Sequence, residues 1–368
     1  LPRPDFVLYP GDYLAHRFGQ KFNTYAKGGP EVFQQFVIKT ITFVSENLSR
    51  TFPETPIYGT LGNTDSVCGD YMIAPGGAFL AAVGELWSAR SAYPEAFEDV
   101  GIGGFYAVSH PTVPDRDLIV LNNIFWSERY DDRCGPAGGD PGAAQMAWLE
   151  WMLYRTERRG RTASLLLHIP PGINALGSVQ GAGTCRDRVA PYLKEAFARR
   201  FLALVEQYRG ILRDSFSGHT HMDNFRVLSS AAGEPLLLTH ITPSVSPISK
   251  NNPAFGLVLY DRTNGDLIDY ATAYLTNLKD AGQGEPAKWA IEYTLHGAYG
   301  YDRYDPRTAD ALAQAIRSDA TVRDQFITFF PVETSAPDPP IDQQNWKAYA
   351  CAQTELTVEA FADCYCGG

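Results

Sequence analysis

Four short stretches of this sequence end in residues that can hold a metal ion, and each follows an apolar run. Phe6-Val7-Leu8-Tyr9-Pro10 leads into Gly11-Asp12, and Ile57-Tyr58-Gly59-Thr60-Leu61 leads into Gly62-Asn63-Thr64-Asp65. Leu165-Leu166-Leu167 leads into His168-Ile169-Pro170-Pro171-Gly172, and Ser215-Phe216-Ser217 leads into Gly218-His219-Thr220-His221. A short apolar run bounded by turn residues reads as a buried strand. Ligands at the carboxyl ends of such strands can converge on one edge of an open α/β sheet, where sheets of this kind place their sites. Glycine stands directly before Asp12, Asn63 and His219, and lets the backbone turn tightly beneath an ion. His219 and His221, at i and i+2, leave a strand end on the same side.

Asp12, Asn63, His168, His219 and His221 together offer one carboxylate, one amide oxygen and three imidazoles. A mixed nitrogen and oxygen set suits Zn, Mn or Fe(II). A bridging carboxylate lets two such ions sit roughly 3.5–4 Å apart, the spacing of hydrolytic phosphoester centres, where a bound water reaches a near-neutral pKa and phosphoryl charge is neutralised. Singly, each element is weak: Gly-Asp is usually a turn, and a histidine after an apolar run is usually part of the core. The order and number of the four carry the expectation. His110, His240 and His296 lie outside it and read as structural.

The whole chain narrows the field. Its 368 residues carry 31 basic and 42 acidic side chains, a formal net charge of -11. So acidic a surface repels a nucleic-acid backbone, and no nucleic-acid partner is expected. An anionic substrate would need a local positive centre, which metal ions supply. No run of eighteen apolar residues is present, so no membrane span is expected. Six cysteines, Cys68, Cys134, Cys185, Cys351, Cys364 and Cys366, lie on Gly/Pro-rich stretches and near the C-terminus. An even count fits disulfides in a secreted or periplasmic protein, with free thiols as the alternative.

The elements that must position the ligands read as alternating strands and helices over the first two-thirds. Val32, Phe33, Phe36, Val37, Thr40, Ile41, Val44 and Leu48 keep a helical period, Leu118 to Leu121 reads as a strand, and Met146, Leu149 and Leu153 mark a helix face. A helix is expected over Ala190 to Tyr208. From Phe225 onward, strands follow one another at Leu236–Thr239, Gly256–Tyr260, Leu267–Leu275 and Trp289–Leu295 without long helices between them. This pattern predicts antiparallel pairing and a second sheet packed on the first. The expected fold is therefore α/β, a two-sheet β-sandwich flanked by helices with a helical C-terminal cap. The expected boundaries are a catalytic domain over 1–300 and a helical subdomain over 301–368, pinned by Cys351 with Cys364 or Cys366. The stretch Ala336-Pro337-Asp338-Pro339-Pro340 reads as a loop.

Asp12, Asn63, His168 and Gly218-His219-Thr220-His221, in this order, resemble the motifs of the calcineurin-like metallophosphoesterases. Gly11-Asp12-Tyr13-Leu14-Ala15-His16, Leu121-Asn122-Asn123, His168-Ile169-Pro170-Pro171-Gly172, Pro243-Ser244-Val245-Ser246-Pro247, Asn251-Asn252-Pro253 and the ending Cys351 to Cys364 are similar to the acid sphingomyelinase-like branch. The likeness spans nearly the whole chain. It implies that Asp12 bridges two divalent ions, most simply Zn. It implies further that Asn63, His168 and His219 complete one site, and that His221 belongs to the other. It gives His16 the task of stabilising or protonating the departing oxygen. Asn122, Asn123 and Trp126, which follow the apolar run Leu118 to Leu121, are expected toward the substrate, with packing in the core as the alternative for Trp126.

Two departures stand out. The family's opening Asp-x-His is absent, so a first strand is expected upstream of Leu1. Thr64 replaces the usual histidine; having no titration near neutrality, it cannot be an efficient general acid, though it could bond a phosphate oxygen. The endopolyphosphatase-like branch resembles this chain in that respect. The expected activity is thus hydrolysis of a phosphoester or phosphoanhydride by a metal-activated hydroxide, on a small phosphorylated substrate: a phosphodiester, nucleotide or polyphosphate. A catalytically impaired binding module that kept the fold is the alternative from another class.

Overall fold

The computed structural model describes residues 3–91, 93–135, 138–334 and 341–367; the Pro-rich stretch expected as a loop lies outside them. Contacts divide the chain into two units. One runs to Ile169 and takes in Ala196–Leu204 and Gly210–Leu212; the other comprises Pro170–Glu195, Val205–Arg209 and the chain from Arg213 onward.

In the first unit, β1 (Val7–Tyr9) and β2 (Ile57–Gly59) pair in parallel. Between them lie the helices Phe18–Tyr25 and Pro30–Thr51, the second facing inward through Val37 and Ile41. β3 (Tyr106–Ser109) pairs antiparallel with β4 (Arg116–Val120), and β4 pairs in parallel with β5 (Thr162–Leu166). The apolar runs Leu118-Ile119-Val120 and Leu165-Leu166 are buried, as parallel strands covered by helices require. The crossover from β4 to β5 contains the helix Pro141–Arg158. Its start is set by Asp140, whose carboxylate accepts from Ala143 N at 3.0 Å, and by Pro141 in the first turn. Two bonds tie β2 to this sheet: Thr60 Oγ1 donates to Leu121 O at 2.7 Å and Tyr106 Oη donates to Gly59 O at 2.9 Å.

In the second unit, β6 (Leu212–Ser217) pairs in parallel with β8 (Pro235–Ile241), and β8 pairs antiparallel with β7 (Asn224–Ser229). β9 (Ala254–Tyr260), β10 (Leu267–Leu275) and β11 (Trp289–Thr294) form a separate antiparallel sheet in the order β11-β10-β9. The strand-after-strand pattern beyond Phe225 thus produces the antiparallel pairing expected of it. The helices Pro306–Ser318 and Trp346–Thr354 pack on β7 and β8, and their Leu312, Ile316 and Cys351 share one apolar core with Val227 and Leu238.

All six cysteines are paired: Cys68–Cys134, Cys185–Cys366 and Cys351–Cys364. The third pair selects Cys364 over Cys366 as the partner of Cys351. Among the described residues no helix is long and apolar enough to cross a membrane.

Candidate metal centre

The turns after β1 and β2 are packed against each other, and they place Asp12 and Asn63. A Cβ on Gly11 would stand 2.5 Å from Gly62 N, and a Cβ on Gly62 would stand 2.1 Å from Asp12 Oδ1, so neither glycine has room for a side chain. Asp12 itself is left-handed, with φ 61°. A non-glycine residue pays for that conformation, and such residues gather where function over-determines the backbone. His219 and His221 share the feature, with φ 69° and 66°.

His168 follows β5 and is 1% exposed. Its Nδ1 lies 2.5 Å from Pro10 O, while its Nε2 lies 3.0 Å from Asn63 Oδ1 and 3.4 Å from Asp12 Oδ1. A carbonyl only accepts, so the proton sits on Nδ1 and, in the neutral ring, Nε2 presents a lone pair. Three acceptors then converge with no proton between them. Ligands about 2.0–2.2 Å from a common ion stand roughly this far apart, and a metal-bound histidine characteristically donates its other N–H to a carbonyl. The residues fit a divalent cation. Burial pushes the His168 imidazole down, but the Asp12 carboxylate, the bond to Pro10 O and the Asp65 carboxylate together hold the ring above its ordinary pKa.

The supporting shell is built from buried polar side chains. Asn123 Oδ1 accepts from His168 N at 3.2 Å and Ile169 N at 3.1 Å, and Asn123 Nδ2 donates to Ile169 O at 2.7 Å. Asn122 Nδ2 donates to Gly103 O at 3.0 Å, and Asn122 O accepts from Gln145 Nε2 at 2.7 Å. Trp126 is 1% exposed, donates from Nε1 to Gly142 O at 3.0 Å, and packs beside Phe197 and Phe201. The expectation that Asn122, Asn123 and Trp126 line a substrate cleft is therefore corrected. They have no exposed surface to offer a ligand; Asn123 holds the segment that carries His168, while Asn122 and Trp126 tie the chain after β4 to Gly103, Gln145 and Gly142.

Thr64 also moves from its expected place. Its hydroxyl lies 2.8 Å from Asp12 Oδ1 and 2.7 Å from Leu14 O, its amide donates to Asp12 Oδ1 at 3.1 Å, and it is 2% exposed. With its donor committed inside the turn, Thr64 orients the Asp12 carboxylate rather than reaching a phosphate oxygen. Asp65 is fully enclosed and accepts from Leu14 N at 2.9 Å and Gly62 N at 2.7 Å, clamping the two turns together. Burial, and then the Asp12 carboxylate, push its carboxyl up to about 7.

His16 is partly exposed, with a ring nitrogen within 4.8 Å of an Asp12 carboxylate oxygen. Its Nδ1 lies 3.1 Å from Asp70 Oδ2. That hydrogen bond holds the imidazole above its ordinary pKa, burial acts the other way, and Asp12 adds to the rise. In the second unit, His219 meets the ring of Tyr192 edge-on at 5.2 Å, and His221 Nδ1 lies 2.8 Å from Ser249 Oγ. His240 is buried against Tyr270 with Nδ1 2.8 Å from Tyr304 Oη, and burial drives its pKa down to about 3. His110 accepts from Thr112 N and Val113 N, and burial takes it to about 4. His296 pairs with Asp302 near the surface.

Residues 235–366 match the acid sphingomyelin phosphodiesterase C-terminal region. Over 375 residues the chain is 26% identical to human acid sphingomyelinase-like phosphodiesterase 3b, covering 99% of this chain and 76% of that protein. Over nearly its whole length this chain is similar to acid sphingomyelinase-like phosphodiesterases. Rat cyclic GMP-AMP phosphodiesterase SMPDL3A is 27% identical over 371 residues, 98% of this chain and 76% of that protein. Bovine sphingomyelin phosphodiesterase is 25% identical over 378 residues, 98% of this chain and 54% of that longer protein. The solved dimetal phosphatase from Danio rerio gives a TM-score of 0.43 at 11% identity, over 73% of this chain and 80% of that one. The sphingomyelinase-like relatives are thus matched both through the first unit, with Asp12, Asn63 and His168, and through the second. Asp70 and Ser249 entered from the structure alone, whereas Asp65 reads from the sequence as a residue that holds its loop. A lone Asp after Cys68-Gly69 carries no spacing signal, because its partner lies 54 residues away.

Proposed function

We propose that this protein is a metal-dependent phosphodiesterase, acting on a small phosphorylated substrate in an oxidising compartment. The observation that carries this reading is the convergence of Asp12 Oδ1, Asn63 Oδ1 and His168 Nε2, with His168 Nδ1 held by Pro10 O. Asp12, Asn63 and His168 would hold a divalent ion, and Zn suits these donors, as do Mn and Fe(II); His219 and His221 are further imidazole donors carried by the second unit. Such ions supply an activated water and neutralise charge on the phosphoryl oxygens. The chain's own residues do the rest. Asn123 fixes the backbone at His168, Thr64 and Asp65 fix the turns at Asp12, and His16 passes a proton to the departing oxygen. Two of the named relatives carry a cyclic dinucleotide and sphingomyelin in their names as substrates, both phosphodiesters, which supports the substrate class. Three disulfides fit a secreted or periplasmic setting.

A second reading, hydrolysis of phosphoanhydrides such as polyphosphate, is favoured by Thr64, since such bonds need less acid assistance than alkoxide esters. The partly exposed His16 supplies an acid and tips the balance toward diesters. The test is turnover of bis(p-nitrophenyl) phosphate beside release of phosphate from polyphosphate, in the wild type and in His168→Ala. Diester turnover that falls by more than about a hundredfold in His168→Ala is the expected result, since even the partners of metal ligands cost 10–100-fold when removed. Undiminished diester turnover in that variant would defeat the reading, and turnover of polyphosphate alone would favour the second.

A further inference from the structure

Asp70 lies on the segment between Asn63 and Met72, and both of its carboxylate oxygens are engaged at His16 and Arg17. Oδ2 is 3.1 Å from His16 Nδ1, and Oδ1 accepts from Arg17 N at 3.2 Å. Arg17 is left-handed, with φ 56°, which turns its amide toward the carboxylate. The segment is tied down on every side. Tyr71 N donates to Asn63 O at 2.6 Å, Asp131 N donates to Tyr71 O at 3.2 Å, and the Arg129 guanidinium lies 4.5 Å over the Tyr71 ring. Cys68 N donates to Ser66 Oγ, Ser66 Oγ donates to Met72 O, and the Cys68–Cys134 disulfide joins the segment to the chain after β4. The Asp70 carboxylate is thus carried on a segment that its neighbours hold in place.

We propose that Asp70 is the positioning residue for His16: it fixes the ring's rotation and keeps a proton on Nδ1, so that Nε2 is the nitrogen that passes a proton to the leaving group. This rests on the phosphodiesterase reading above. An ionised carboxylate only accepts, so the bond to Asp70 requires Nδ1–H. In the reacting state the imidazolium carries both protons. A hydroxide oxygen forms a bond to phosphorus, the bond from phosphorus to the ester oxygen breaks, and that oxygen takes the Nε2 proton. His16 is left neutral with Nδ1–H still on Asp70, and water returns the proton for the next turnover. Thr64 cannot do this, because its hydroxyl is committed between Asp12 and Leu14.

The test uses the full chain with two variants, Asp70→Asn and Asp70→Glu, and two readouts. The first is the ¹⁵N resonances of the His16 ring, which report the tautomer whether or not the protein turns over any substrate. The second is turnover of bis(p-nitrophenyl) phosphate beside diphenyl phosphate, whose leaving group is more basic and needs the acid more. Wild type should show the Nδ1–H tautomer. Asp70→Asn should lose it, and should slow diphenyl phosphate at least tenfold more than the p-nitrophenyl ester, since a positioned acid is worth about 10²–10⁴-fold where it is needed. Asp70→Glu should recover part of both. Equal slowing of the two esters, or ring resonances unchanged in Asp70→Asn, would overturn the proposal. Should the wild type hydrolyse neither ester, the phosphodiesterase reading fails, and the resonances alone decide whether Asp70 sets the ring.

Discussion

Asn123 illustrates at the residue scale how a polar side chain can matter to chemistry without meeting substrate. Its amide oxygen accepts from two successive backbone N–H groups, at His168 and Ile169, while its Nδ2 donates to Ile169 O, a pairing that an ionised carboxylate of the same size could not complete. Asn123→Ala leaves these buried donors unpaired, at a cost of about 1–3 kcal/mol each. It also frees the backbone that aims His168, so diester turnover should fall about 10–100-fold, with a matching loss of metal affinity by titration calorimetry. The sequence indicated the residue but not the role. An Asn-Asn pair after an apolar strand has the composition of a cleft lining, and only the 0% exposure of both separates a scaffold from a contact surface. Asp12, Asn63 and His168 were legible because Gly-Asp, Gly-Asn and strand-His depend on local spacing. Asp70 was not legible, because its link to His16 is a tertiary contact without a local pattern.

Periodicity fixed the elements well where one face is buried throughout. The runs Leu118–Val120 and Leu165–Leu166 became β4 and β5, and the apolar stripe through Val37 and Ile41 became the inner face of Pro30–Thr51. The helix expected from Ala190 begins instead at Glu195, because Pro191 bridges to Ile173 and keeps the preceding residues extended. The helices Ala78–Ser88 and Ala320–Phe329 were missed. Ala78–Ser88 buries one face through Phe79, Leu80, Val83, Gly84 and Trp87, but Ala78, Ala81, Ala82 and Leu86 make its other faces apolar as well and blur the two-sided pattern. Ala320–Phe329 buries only Phe326 fully, too few to mark a stripe. The separate sheet of β9, β10 and β11 was readable from strands that follow one another with no long helix between, since antiparallel neighbours need only short connections.

At the scale of the whole molecule, three disulfides are consistent with an oxidising setting, and the chain carries a formal net charge of -11. Glu292, on β11, adds a specific pH dependence. Both its carboxylate oxygens are shielded from solvent, and burial, together with the neighbouring Asp223 and Glu333 carboxylates, raises its pKa from 4.5 to about 9. In the unfolded chain the group ionises near its ordinary value, so between about 4.5 and about 9 the folded protein binds the extra proton. Its contribution to stability is fully present below that window and is lost as pH rises through it. Thermal unfolding should therefore show a falling Tm from pH 5 to pH 8, and Glu292→Gln should flatten the fall by roughly 3 °C or more. A Tm profile identical in the two proteins would remove Glu292 as its source. The central claim is that Asp12, Asn63 and His168 belong to a metal centre that hydrolyses phosphodiesters. Its most direct test is the divalent metal content per chain after purification without chelator, read beside bis(p-nitrophenyl) phosphate turnover before and after chelation. Two ions per chain, turnover lost on chelation and its return with added Zn or Mn are the predicted result. A chain that binds no divalent metal, or turnover that chelation leaves untouched, would contradict it.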